Sequence, residues 1–192
     1  MLYMVTGRVR SGTSMMMRAS EAGGMELSQV RSTGDRAKGG YILNPNGFYE
    51  TSTHLSSVDF PNGYHNKLLK RFGNEFYHTD FLRNKILAVF MKRDPDEVEA
   101  SMRRAFPIDH IPSLIKYDLE AELAMHRAVP NSRIIVVDYN QVLADPLGSF
   151  ELLASQGWPI TDNQAAADTV DQTLYRHRKA TGRVNYHARI PL

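Results

Sequence analysis

The chain has 192 residues, 23% of them charged and 42% hydrophobic, with a formal net charge of +2 at pH 7 and no cysteine. That length fits one domain, 1–192, with a proper core. The charge is too small to point to nucleic acid; the missing cysteine excludes disulfides, thiolate metal sites and cysteine nucleophiles, and no apolar run is long enough for a membrane span.

Residues 2–6 (Leu2–Thr6) read as a short buried strand, and 13–22 as a helix closed by Gly23-Gly24. The polar stretch 26–47 reads as a long loop, a feature more often functional than not. Phe48–Phe60 is expected to contain a helix, and Lys67–Lys70 a short second strand. Ile86–Met91 is apolar without alternation, as expected of a parallel strand covered on both faces. Pro95–Arg104 reads as a helix with proline in its first turn and acidic residues near its start. Pro112–Ala128 reads as a longer amphipathic helix, Arg133–Tyr139 as another buried strand, 146–156 as a helix begun at Asp145-Pro146, and 161–176 as a last helix before a basic tail. Strands alternating with helices imply an α/β fold with a parallel sheet. A strand at the very N-terminus leaves no room for a signal peptide, so the cytoplasm is the expected compartment.

The most informative stretch is Gly7-Arg8-Val9-Arg10-Ser11-Gly12-Thr13-Ser14. Strand, glycine turn and helix N-terminus make a phosphate cradle, because turn and first-turn N–H groups point outward and the helix dipole favours an anion. Gly7 and Gly12 have the spacing of a Walker A loop, but Thr13 stands where the lysine belongs and the cation is Arg10. Magnesium-dependent nucleotide hydrolysis is disfavoured by that exchange and by the lack of an obvious Walker B aspartate. A second motif, Arg93-Asp94-Pro95 with Ser101 eight residues after Arg93, sits where a central strand passes into a helix. Ligands in open α/β sheets bind at the carboxyl ends of strands, and Arg and Ser together offer donors to phosphate oxygens.

The segment R-S-G-T-S-M resembles the 5′-phosphosulfate loop of sulfotransferases, and R-D-P-x-x-x-x-x-S resembles their 3′-phosphate site. Asn44-Pro45-Asn46-Gly47-Phe48-Tyr49-Glu50, Val137–Pro146 and Leu174-Tyr175-Arg176-His177-Arg178 are similar to further segments of bacterial and phage-type members, with Asn140-Gln141 in place of an acidic pair. The resemblance implies a three-layer α/β sandwich with a central parallel sheet, the P-loop NTPase-like sulfotransferase fold. It implies transfer of a sulfuryl group from 3′-phosphoadenosine 5′-phosphosulfate (PAPS) to a hydroxyl or amine acceptor, with 3′-phosphoadenosine 5′-phosphate (PAP) as product and no metal. Donor contacts then fall to Arg8, Arg10, Ser11, Gly12, Thr13, Ser14, Arg93, Ser101, Arg176 and Arg178, with Lys179 and Arg183 as further cations near the 3′-phosphate. Arg10 suits the leaving phosphate as a permanent cation but a poor proton donor. Glu50 is the expected base and His54, one turn on, the alternative. Lys67 and Lys70 are placed to reach the sulfate or else are solvated surface residues; His65 and His78 read as surface, Met15-Met16-Met17 and Trp158 as packing. The seven histidines form no metal-binding motif. The expected partner is a small-molecule, glycan or peptide acceptor, not nucleic acid or membrane. A P-loop kinase for a small metabolite and a non-catalytic nucleotide-binding module are the alternatives.

Overall fold

The computed structural model describes residues 1–28, 49, 64–71, 84–105, 119–174, 179–180 and 183–184. Four strands form one parallel sheet: β1 (Leu2–Gly7), β2 (Leu68–Lys70), β3 (Ile86–Lys92) and β4 (Ser132–Asp138), in the order β2-β1-β3-β4. The pairing is continuous, with Thr6 opposite Phe90, Gly7 opposite Met91 and Lys92 opposite Asp138. Three strands therefore end at one rim.

Side chains alternate across this sheet, and the two faces bury different sets. Val5, Leu68, Val89, Met91, Ile135 and Val137 face one core. Helix α1 (Thr13–Ala22) fills that side with Met16, Met17 and Ala19. Leu2, Met4, Leu69, Ile86 and Ala88 face the other, where Val129 covers them just beyond helix α3 (Leu119–Arg127). Ile86–Met91 is buried throughout, which is why its sequence shows no polar alternation.

Helix boundaries follow local chemistry. Helix α1 ends where Gly24 takes a left-handed φ of 101° and Met25 N–H bonds back to Ser20 O. Helix α2 (Pro95–Ala105) starts on Asp94, whose Oδ1 accepts from the N–H groups of Asp96 and Glu97. Helices α4 (Tyr139–Ala144), α5 (Pro146–Ser155) and α6 (Asn163–Asp168) are capped by Asp138, Asp145 and Asp162.

Two expectations change. Tyr139 opens helix α4 instead of closing the strand, because the Asp138 carboxylate takes the Asn140 and Gln141 N–H groups. The last helix stops at Asp168: Thr169 Oγ1 bonds to Ala166 O, a second β-branched residue follows, and Asp171 captures Thr173 N–H to start a 3₁₀ turn, Gln172–Leu174. Within the expected basic tail, β5 (Lys179–Ala180) and β6 (Arg183–Val184) pair antiparallel, and β6 lies against α2. Most of the expected 26–47 loop and of Phe48–Phe60, and residues 112–118 of the expected Pro112–Ala128 helix, lie outside the described residues. Among the described residues no helix is long and apolar enough to cross a membrane.

Trp158 packs in the α1-side core, with Nε1 donating to Ser20 Oγ at 3.0 Å and its ring edge-on to Tyr3. Trp158→Ala removes a large buried ring and leaves a cavity, so chemical denaturation should show a loss of about 3–5 kcal/mol. A loss below about 1 kcal/mol would contradict this packing.

Candidate functional site

The rim where β1, β3 and β4 end carries the loop between Gly7 and Thr13. Its backbone is set by three positive φ values: 134° at Gly7, 73° at Arg10 and 101° at Gly12. A Cβ on Gly7 would come within 2.7 Å of Met91 O and 2.9 Å of Ser11 Oγ, so only glycine lets the loop lie this close to β3. A Cβ on Gly12 would meet the Tyr139 ring at 2.4 Å. Ser11 N–H closes the turn onto Arg8 O at 3.0 Å.

Gly12 caps α1 without a capping side-chain hydrogen bond, and no acidic residue occupies the first turn. The first-turn N–H groups thus face the loop with the positive end of the dipole. The Ser11 hydroxyl is buried and has no hydrogen-bond partner among the described residues. A buried hydroxyl without a partner is costly unless something else satisfies it.

Three cations meet at the loop, one its own and two from the ends of β3 and β2. Arg10 Nε donates to Ser101 Oγ of α2 at 3.0 Å. Arg93, just past β3, donates from NH1 to Arg10 O at 3.0 Å. Lys70, at the end of β2, donates from Nζ to Ser14 Oγ at 3.0 Å. Lys70 sits on the α1 side of the sheet because Leu68 does, two residues earlier.

Arg93 is buried and held on several sides. Its Nε lies 3.1 Å from Glu97 Oε2, one turn along α2, and its guanidinium carbon lies 4.6 Å from the Tyr139 ring centroid. A buried carboxylate and an aromatic face together fix the direction of the fork. Glu97 and Tyr139 were not singled out in the sequence; the i,i+4 spacing of Arg93 and Glu97 was the available signal for the first.

On the opposite face, α3 grips both sides of Gly7. His126 lies 3.0 Å from Thr6 Oγ1, and Glu122 Oε2 lies 3.9 Å from Arg8 NH1. Arg8 thus turns toward α3. Burial holds the His126 pKa below its ordinary value of 6.5, opposed in part by the Glu122 carbonyl. Burial pushes the Glu122 carboxyl above its ordinary 4.5, opposed by the Arg8 cation. The two act with opposite sign on stability. The His126 contribution is present above about pH 6.5 and is lost as the pH falls through the depressed value. The Glu122 contribution is complete below about pH 4.5 and is lost as the pH rises through the raised value.

Arg10, Ser11, Gly12, Thr13, Ser14, Arg93 and Ser101 are thus brought to one rim, with Lys70 beside them. Lys67 instead pairs with Glu26 at 2.6 Å, and His65 is exposed. Glu50, His54, His78, Arg176 and Arg178 lie outside the described residues. Tyr49, next to Glu50, is buried and donates its hydroxyl to Glu21 at the end of α1. Among the described residues no group of three His, Asp or Glu side chains could hold a metal ion.

Compared with protein-family models the sequence finds no match, and compared with curated proteins it finds none either.

Gly12→Ala forces a side chain into a left-handed conformation and against the Tyr139 ring. Denaturant unfolding should register a loss of about 1–3 kcal/mol; an unchanged midpoint would contradict the contact.

Proposed function

We propose that this chain is a sulfotransferase of the P-loop type. It takes the sulfuryl group of 3′-phosphoadenosine 5′-phosphosulfate and gives it to a hydroxyl or amine of a small-molecule, glycan or peptide acceptor, in the cytoplasm. The observation that carries the reading is the meeting of its two most specific motifs: Arg10 of the loop bonds Ser101, 91 residues on, and Arg93 bonds the Arg10 carbonyl.

The residues present fit an anionic donor. The α1 N-terminus, without a side-chain cap, and the Ser11 hydroxyl, without a hydrogen-bond partner among the described residues, suit a 5′-phosphate, and Thr13 and Ser14 add hydroxyls beside it. A Walker loop places its lysine at position 13; here Arg10 and Lys70 bring positive charge from either side instead. That arrangement suits charge gathering on a leaving phosphate oxygen without a metal ion. Arg93 and Ser101 suit a second phosphate, the 3′ group that distinguishes this donor from ordinary adenine nucleotides.

When bound, the donor supplies a sulfuryl group on a phosphate leaving group. The acceptor oxygen or nitrogen forms a bond to sulfur as the bond from sulfur to the 5′-phosphate oxygen breaks, and the electron pair leaves on that oxygen. The acceptor proton goes to Glu50, with His54 as the alternative base. The loop and its cations hold the donor in line and stabilise the departing oxygen.

The test compares two ligands on one variant. Arg93→Ala should weaken 3′-phosphoadenosine 5′-phosphate by about 10- to 100-fold, the worth of a charged hydrogen-bond pair. The analogue lacking the 3′-phosphate should bind nearly as it does to the unaltered protein. A general loosening of the loop would weaken both alike, so equal losses in calorimetry would remove Arg93 from the 3′-phosphate and with it the donor assignment.

A further inference from the structure

His126 is fully buried and meets the chain where β1 gives way to the loop. Its ring is fixed at both nitrogens. Nδ1 lies 2.7 Å from the Glu122 backbone oxygen, which can only accept, so Nδ1 carries the hydrogen. Nε2 is then the acceptor in the neutral ring, and the Thr6 hydroxyl donates to it across 3.0 Å. Thr6 is also fully buried and immediately precedes Gly7, where the loop leaves the strand. Glu122, one turn earlier on α3, faces Arg8 on the far side of that glycine. One face of α3 therefore pins the residues flanking the hinge of the loop.

From this geometry we infer that His126 is a positioning residue: in its neutral form it holds Thr6 at the strand-to-loop junction, and protonation of its ring lowers the loop's affinity for an anionic ligand. The affinity part of this inference rests on the proposed donor site.

The physical reason is a reversal of polarity. A protonated ring donates from both nitrogens, so the Thr6 hydroxyl would have to turn its own hydrogen away, toward the apolar edge of the seam. Phe90 of β3 forms that edge, with its ring edge-on to His126 at 5.1 Å. A buried cation there is also poorly solvated. Among the described residues, Glu122 on α3 itself and Arg8 on the loop carry charge beside the seam. By the strand register, β3 turns Lys92, and β4 turns Asp138, to the same face two residues beyond Phe90 and Val136. Arg8 and Lys92 oppose a further positive charge; Glu122 and Asp138 favour it. Burial is the largest influence on the ring and keeps it neutral in the resting protein.

The experiment follows ring and amide resonances of the full chain by NMR from pH 8 to pH 5, without ligand, and then titrates 3′-phosphoadenosine 5′-phosphate across the same range. The amides of Gly7 and Arg8 should shift with the midpoint of the His126 ring, below the ordinary value of 6.5. His126→Gln keeps an acceptor for Thr6 but does not titrate, so the part of those amide shifts that follows the ring should vanish, leaving only what the Glu122 carboxyl beside Arg8 contributes. Below the ring's midpoint the unaltered protein should lose affinity more steeply than His126→Gln, by up to about tenfold per pH unit, the limit for one coupled proton. Amides that stay still while the ring titrates would overturn the inference, with or without the variant. So would an identical pH dependence of affinity in the two proteins. Amides that follow the ring while the ligand binds at no pH would support the hold on the junction and count against the donor site instead.

Discussion

The parallel register of β1, β3 and β4 is the constraint on which the site depends. Gly7 lies opposite Met91, and Lys92 opposite Asp138, so the chain leaves each strand at nearly the same height. From those three exits come the glycine loop, Arg93 with helix α2, and Tyr139 with helix α4. A slip of one residue in any pair would turn the strand's core side chains to the wrong face. The clean division into two buried sets, one under α1 and one under α3, is what prevents it.

Arg93 converts that alignment into a rigid site. It bonds the carbonyl of Arg10, a residue held at a φ of 73°, where a non-glycine backbone is disfavoured. The contact supports the unusual turn from β3, while Glu97 and the Tyr139 ring support Arg93 itself. Tyr139 also closes the space beside Gly12. The same few residues therefore shape the loop backbone and present its cations. On the other face, His126 and Glu122 hold the strand side of the loop.

The parts of this arrangement that were legible in the sequence are local ones. The strand at 2–6, the helix at 13–22 and the strand at 86–91 carry their own signals: an apolar run, a glycine pair at the end, no alternation. The α/β class and the parallel sheet followed from their succession, and helices on both faces of the sheet agree with that reading. The rim position of Arg93 followed from the general rule for strand ends. What escaped were the partners fixed by tertiary register. Nothing local in Thr6 or His126 announces a bond across 120 residues. Tyr139 reads as the end of a strand because the apolar run Ile134–Val137 lies just before it; the Asp138 carboxylate, by capping Asn140 and Gln141, makes it the start of a helix. The sequence pattern runs the last helix on to 176, past its end at Asp168, because Thr169 and Val170 interrupt it without a glycine or proline to mark the stop.

The proposed ligand of this rim is a nucleotide with phosphates at both ends of its ribose, bound without a metal ion. Calorimetric titration of the unaltered chain addresses it directly, with 3′-phosphoadenosine 5′-phosphate in the absence of magnesium set beside ATP and ADP with magnesium. Tight, magnesium-independent binding of the bisphosphate and weak binding of the other two are expected. Preference for ATP with magnesium would contradict this and assign the loop to phosphoryl transfer.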